Sequence, residues 1–151
     1  MEIMKKFEER FEEFVSTKEN QSEYYISTDG LVCCDGNVVI YDEDLVDGHL
    51  PFNFGKVEGC FDCCSCPSLT SLEGAPQEVG IDFICHKCTS LTSLEGAPQK
   101  VGRDFYCSHC TSLTSLEGSP QEVGGDFDCR MCTSLTSLEG APKKIGGKII
   151  N

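Results

Sequence analysis

A chain of 151 residues has room for one domain, or for one small repeat array with a capping piece. Its net charge of −13 is uneven: residues 1–60 carry 14 acidic against 5 basic side chains, and residues 61–151 carry 11 against 7. Clustered Lys and Arg for gripping a phosphate backbone are missing, no run approaches the ~20 apolar residues that cross a bilayer, and the charged start Met1–Lys6 holds no apolar signal segment; the expectation is a cytoplasmic chain that contacts neither nucleic acid nor membrane directly.

In chain order, the first segment places Ile3, Phe7, Phe11, Phe14 and Val15 on one helical face with Glu and Lys opposite, which predicts an amphipathic helix. Three short β-prone runs follow, Tyr24–Thr28, Leu31–Cys34 and Val38–Tyr41, separated by Asp29-Gly30 and Asp35-Gly36. Asp-Gly between such runs predicts tight hairpins. Residues 1–37 therefore read as a helix-and-hairpin cap, and residues 38–151 as the body it covers.

The body is a repeat. Four near-copies run from Phe61 to Gly80, Phe83 to Gly102, Phe105 to Gly124 and Phe127 to Gly146, a period of 22 residues. Ser-Leu-Thr-Ser-Leu-Glu-Gly recurs unbroken in each, and Pro76, Pro98, Pro120 and Pro142 follow it. Val39, Tyr41, Leu50 and Val57 lie one period ahead of Phe61, Cys63, Leu72 and Val79 and predict a degenerate first coil; Ile145 and Ile149 match Val123 and Phe127 and predict a partial last strand. Phe105 and Cys107, two apart on a strand, point inward, so Asp104, Tyr106 and Ser108 point outward. Glycine and proline on the return path predict an irregular or extended convex side, with little room for a helix. No single coil buries its own apolar face, so the stack forms as a unit.

The pattern Phe-x-Cys-x-x-Cys-x-x-Leu resembles the strand segment of cysteine-containing leucine-rich repeats. The Ser-Leu-Thr-Ser-Leu-Glu-Gly-Ala-Pro unit is similar to repeats of bacteriophage proteins and, more distantly, of bacterial leucine-rich-repeat effectors. The resemblance covers about residues 38–151 and implies a β-rich solenoid: a leucine-rich-repeat-like stack of parallel strands behind an N-terminal helix and β-hairpin cap. The large ligase domain that such effectors carry after their repeats has no counterpart in this chain.

Twelve cysteines in a chain expected in a reducing compartment argue against a disulfide framework. Eight of them, Cys63, Cys66, Cys85, Cys88, Cys107, Cys110, Cys129 and Cys132, form C-x2-C pairs 18 residues apart, which fits a zinc signature. The same spacing follows from a 22-residue repeat with two inward cysteines per coil, where free cysteine acts as a small buried hydrophobe. The core ladder is the main expectation and structural zinc the alternative; no other cofactor is implied. Inter-coil disulfides are disfavoured on the premise that the side-chain vectors run parallel. Cys33, Cys34, Cys60 and Cys64 fall outside this ladder, with Cys64 facing outward. Asp82, Asp104 and Asp126 recur at one position, and Glu73, Glu95, Glu117 and Glu139 at another. Stacked like charges repel, so both series are expected to fan into water, with Ca²⁺ the lesser alternative.

Comparison among the copies locates a candidate binding face. The Phe, Cys, Leu, Gly and Pro positions scarcely change, whereas the outward strand positions change freely. The residues singled out are Asp62, Ile84, His86, Lys87, Arg103, Tyr106, His109, Asp128, Arg130 and Met131, expected on the concave strand face that solenoids use for binding. Aromatic, Met and Arg residues are enriched in interfaces. No phosphate-cradling glycine loop, G-x-S-x-G or H-E-x-x-H is present, and His86 and His109, out of register with each other, suggest no catalytic pair. The expectation is a non-catalytic protein-binding module. The phage resemblance and the acidity extend it to a host-defence inhibitor whose partner is a host or viral protein, such as one with a nucleic-acid-binding groove. An assembly component that self-associates through its C-terminal edge strand, with Lys148 as a gatekeeper charge, is the other alternative.

Overall fold

The computed structural model describes residues 1–18 and 23–151. One helix, α1 (Glu2–Ser16), precedes thirteen short strands: β1 (Tyr24–Ile26), β2 (Val32–Cys34), β3 (Val38–Val39), β4 (Phe54–Val57), β5 (Phe61–Asp62), β6 (Glu78–Val79), β7 (Phe83–Ile84), β8 (Lys100–Val101), β9 (Phe105–Tyr106), β10 (Glu122–Val123), β11 (Phe127–Asp128), β12 (Lys144–Ile145) and β13 (Ile149–Ile150). The chain is a parallel β-solenoid. Each coil contributes one strand to a seven-stranded sheet ordered β1-β2-β4-β6-β8-β10-β12 and one to a six-stranded sheet ordered β3-β5-β7-β9-β11-β13. Among the strands of the described residues only β1, hairpinned to β2 across Asp29-Gly30, runs antiparallel. Among the described residues no helix is long and apolar enough to cross a membrane.

The return path is extended, one of the two forms its glycines and prolines allow, for part of its length. Val79, Val101 and Val123 are buried while the residue before each faces outward, and these two-residue strands pair in register to make the seven-stranded sheet. The outward column reads Lys56, Glu78, Lys100, Glu122, Lys144, so every cross-strand neighbour carries the opposite charge, as with Lys144 and Glu122 at 3.5 Å. Opposite charges placed directly across strands stabilise the pairing. The third side, Ser68–Glu73 and its copies, is irregular and buries its two leucines completely in the first three copies, while in the last Leu135 is half-buried and Leu138 exposed.

Between the sheets the chain turns a tight corner at Gly80, Gly102, Gly124 and Gly146. A Cβ on Gly102 would lie 2.0 Å from the Gly80 carbonyl oxygen of the preceding coil, a contact no side chain tolerates. The core is a column of identical residues. Phe61, Phe83, Phe105 and Phe127 are wholly buried and stack with ring centroids 5.1–5.6 Å apart.

Two expectations about the N-terminal part are corrected. Asp35-Gly36 makes no hairpin: β2 and β3 lie in different sheets, and β2 already pairs in parallel with β4. The degenerate coil is also shifted by one residue. Val38, not Val39, pairs with Phe61, and Ile40 occupies the Cys63 position, its N–H donating to the Asp62 carbonyl as Cys63 donates to Ile84. A 3-10 turn, Asp42–Asp44, replaces the C-x2-C turn there and takes up one extra residue. A one-residue slip exchanges inside for outside, which is why Tyr41 is exposed and Ile40 buried. Helix α1 lays Phe7, Phe11 and Phe14 against Phe52, with Phe14 also meeting Phe54 and Tyr24, at the end of the stack. Ile3 remains outside this contact, 84% exposed. Lys18, buried between the Phe14 and Tyr41 rings, is paired with Asp44 and locks the helix end to the 3-10 turn.

Candidate partner-binding face

The six-stranded sheet and the turns that follow it carry the variable residues. Four of its strands, β5, β7, β9 and β11, pair an inward Phe with one outward residue and lead into a C-x-x-C turn. The ladder does not stop at the strand: Ser65, Lys87 and His109 donate their N–H groups to His86, Ser108 and Arg130 of the next coil. These residues reach that geometry with positive φ, 55° at Ser65, 59° at Lys87 and at His109, and 58° at Met131. The turn thus sets two adjacent side chains on this face in each of the four regular coils.

Ile84 and Tyr106 stand side by side on β7 and β9, half-buried. The Tyr106 hydroxyl donates to Asp104 at 2.9 Å, and that bond, with partial burial, pushes its pKa up to about 12. Asp62 is half-buried and accepts the Cys64 N–H at 2.9 Å. Lys87, Arg103 and Met131 are exposed. Two outward expectations are corrected. Asp128 is only 2% exposed because Arg130 folds over it: Asp128 accepts the Arg130 N–H at 3.0 Å and its guanidinium at 3.0 and 2.7 Å, which holds the carboxyl below its ordinary range. Ser108 is also buried, its hydroxyl 2.7 Å from His86 Nδ1.

His86 and His109, set aside in the sequence for lack of common register, are brought together. They occupy neighbouring positions of neighbouring turns, with ring centroids 5.0 Å apart and planes at 76°. His109 Nδ1 is buried without a hydrogen-bond partner. Burial first, then the neighbouring His109 and Lys87, lower the His86 pKa. The result is a mixed patch in which Ile84, Tyr106 and Met131 are interleaved with His86, Lys87, His109 and Arg130.

The aspartate series was misread as a set of solvated charges. Asp82, Asp104 and Asp126 each turn a carboxylate oxygen to the backbone N–H one coil on, at Asp104 (3.0 Å), Asp126 (2.7 Å) and Lys148 (2.9 Å). Asn37 does the same for Cys60 at 2.8 Å. The charges act as acceptors that satisfy N–H groups at the corner, where the strand ladder breaks. Asn37 at the head of the column was the available signal, since an amide oxygen accepts as a carboxylate does. Glu73, Glu95, Glu117 and Glu139 are exposed.

All twelve cysteines are free thiols, and the eight of the C-x2-C pairs are buried. Cys88, Cys110 and Cys132 donate to the carbonyls of Cys63, Cys85 and Cys107 in the preceding coil at 3.1, 3.1 and 3.0 Å. Burial pushes the Cys66 thiol up to about 12 and Cys129 up to about 11. Cys64 faces outward as expected, and partial desolvation takes it to about 11. Among the described residues, no three His, Cys, Asp or Glu side chains gather into a set able to hold a metal ion.

Comparison with known protein families, curated proteins and solved structures finds no match for this chain.

Proposed function

We propose that the chain is a non-catalytic protein-binding solenoid that holds a partner protein with the outer face of its six-stranded sheet and the C-x-x-C turns beside it. One contrast carries this reading. The repeat has two corners with positive φ. At one, Gly74, Gly96, Gly118 and Gly140 are invariant; at the other, Ser65, Lys87, His109 and Met131 are all different and none is glycine. A side chain in the left-handed region costs about 1–2 kcal/mol. At the glycine corner a Cβ would also press on the backbone of the coil before it, as Gly96 would on Glu73 N at 2.6 Å, so no side chain fits there; the turn has room for a side chain and accepts the strain of keeping one. Strain retained at an exposed position points to function.

The finer form of the reading is a phage-encoded inhibitor of a host defence protein, its acidity suited to a basic, nucleic-acid-binding groove. That form is supported by the repeat's resemblance and by the net charge of −13, which favours approach to a basic surface. The test is capture of partners from a bacterial lysate by the intact chain and by a variant with Tyr106→Ala, Arg130→Glu and Met131→Ala. A partner held by the former and lost by the folded variant supports the face; equal capture by both moves the site elsewhere.

A further inference from the structure

The buried cysteines form a second pattern, independent of the binding face. Sequence spacing groups them within a turn, Cys63 with Cys66 and Cys85 with Cys88. The structure groups them diagonally, between coils. Cys63 Sγ points forward to the Ile84 carbonyl of the next coil at 3.3 Å, while Cys88 Sγ points back to the Cys63 carbonyl at 3.1 Å. These vectors oppose each other, which removes the premise of parallel side chains that disfavoured inter-coil bridges. Cys110 and Cys132 repeat the backward contact to Cys85 and Cys107, each across 25 residues. In all three diagonals the nearby partner thiol, with burial, pushes the pKa of Cys63, Cys85 and Cys107 up. The pattern leaves out one cysteine at each end of the stack. Cys66 points back to Ile40, where the first coil has no cysteine, and the Cys129 N–H meets Ile150.

We infer that Cys63–Cys88, Cys85–Cys110 and Cys107–Cys132 are three equivalent oxidation sites at which hydrogen peroxide cross-links neighbouring coils of the solenoid. One thiol of a pair attacks the peroxide oxygen, giving a sulfenic acid and water. The second thiol attacks that sulfur, an S–S bond forms, and the hydroxyl leaves as a second water. Two sulfurs are oxidised and one peroxide is reduced for each bridge. In the outer pairs Cys88 and Cys132 supply the first nucleophile, because the hydrogen bond received from Cys63 or Cys107 lowers their pKa. Burial makes the reaction slow and dependent on local opening of the turns. The bridges tie each of the four regular coils covalently to the next along the stack axis.

The test treats the reduced, folded chain with hydrogen peroxide, blocks remaining thiols after denaturation, and maps the links by mass spectrometry of a non-reduced digest. The expected result is three diagonal links, blocked thiols at Cys66 and Cys129, and a raised melting temperature that reductant reverses. In-turn links, which would consume Cys66 and Cys129 as well, overturn the inference. So does exhaustive oxidation of exposed Cys64 with the six diagonal thiols unchanged. A Cys88→Ser variant, whose hydroxyl keeps the bond to the Cys63 carbonyl, should lose the first link and retain the other two; loss of all three would show that the pairs are not independent sites.

Discussion

At the scale of single residues, the fold depends on positions where one atom more or less changes the stack. Gly102 is the clearest: its Cβ would sit 2.0 Å from a backbone oxygen that a neighbouring strand holds in place. Gly102→Ala should cost at least about 3 kcal/mol, the upper end for overpacking, read as a lowered urea midpoint. Asp104 acts through its acceptor oxygen, not its charge, since it takes the Asp126 N–H at 2.7 Å. Asp104→Asn should therefore stay within about 1 kcal/mol of the parent, whereas Asp104→Ala leaves a corner N–H unmade and should cost about 1–3 kcal/mol. A larger loss for Asn than for Ala in thermal melting would contradict the acceptor role.

At the scale of elements, the C-x-x-C turn joins the core to the candidate face, because its cysteines face inward and its two middle residues outward. Its buried thiols make the fold sensitive to alkali. Cys66 and Cys129 rise from an ordinary 9.0 to about 12 and about 11, and Cys63, Cys85 and Cys107 are held protonated, first by the diagonal partner thiol to which each donates and then by burial. The folded state thus binds more protons than the unfolded chain above pH 9. Stability is whole below that value and falls as pH rises through 9 toward 12. Urea midpoints should be level between pH 7 and 8.5 and then decline; midpoints that rise with alkali would contradict the burial of these thiols. The four aligned copies made the strands of the six-stranded sheet readable in the sequence, down to the inward Phe and Cys. Two-residue strands such as Glu78–Val79 were not readable, since alternation over two positions is no pattern until neighbouring coils repeat it. Asp35-Gly36 misled because a turn signal does not say whether the chain reverses within a sheet or passes to another.

At the scale of the whole molecule, the chain is a stack of near-identical coils, closed on one side by a helix and differing from coil to coil along one face. The variable residues were legible by comparing the copies. Their arrangement was not: the approach of His86 to His109 and the burial of Ser108 and Asp128 depend on rotamers and on which coil covers which. The central claim is that the strained turn positions are kept for their side chains. The most direct measurement compares the parent with Lys87→Gly, His109→Gly, Met131→Gly combined, reading both the melting temperature and the capture of a partner. The account predicts a melting temperature no lower than the parent's, because glycine suits these φ values, together with loss of capture. A clear drop in melting temperature, or undiminished capture by the glycine variant, would contradict it.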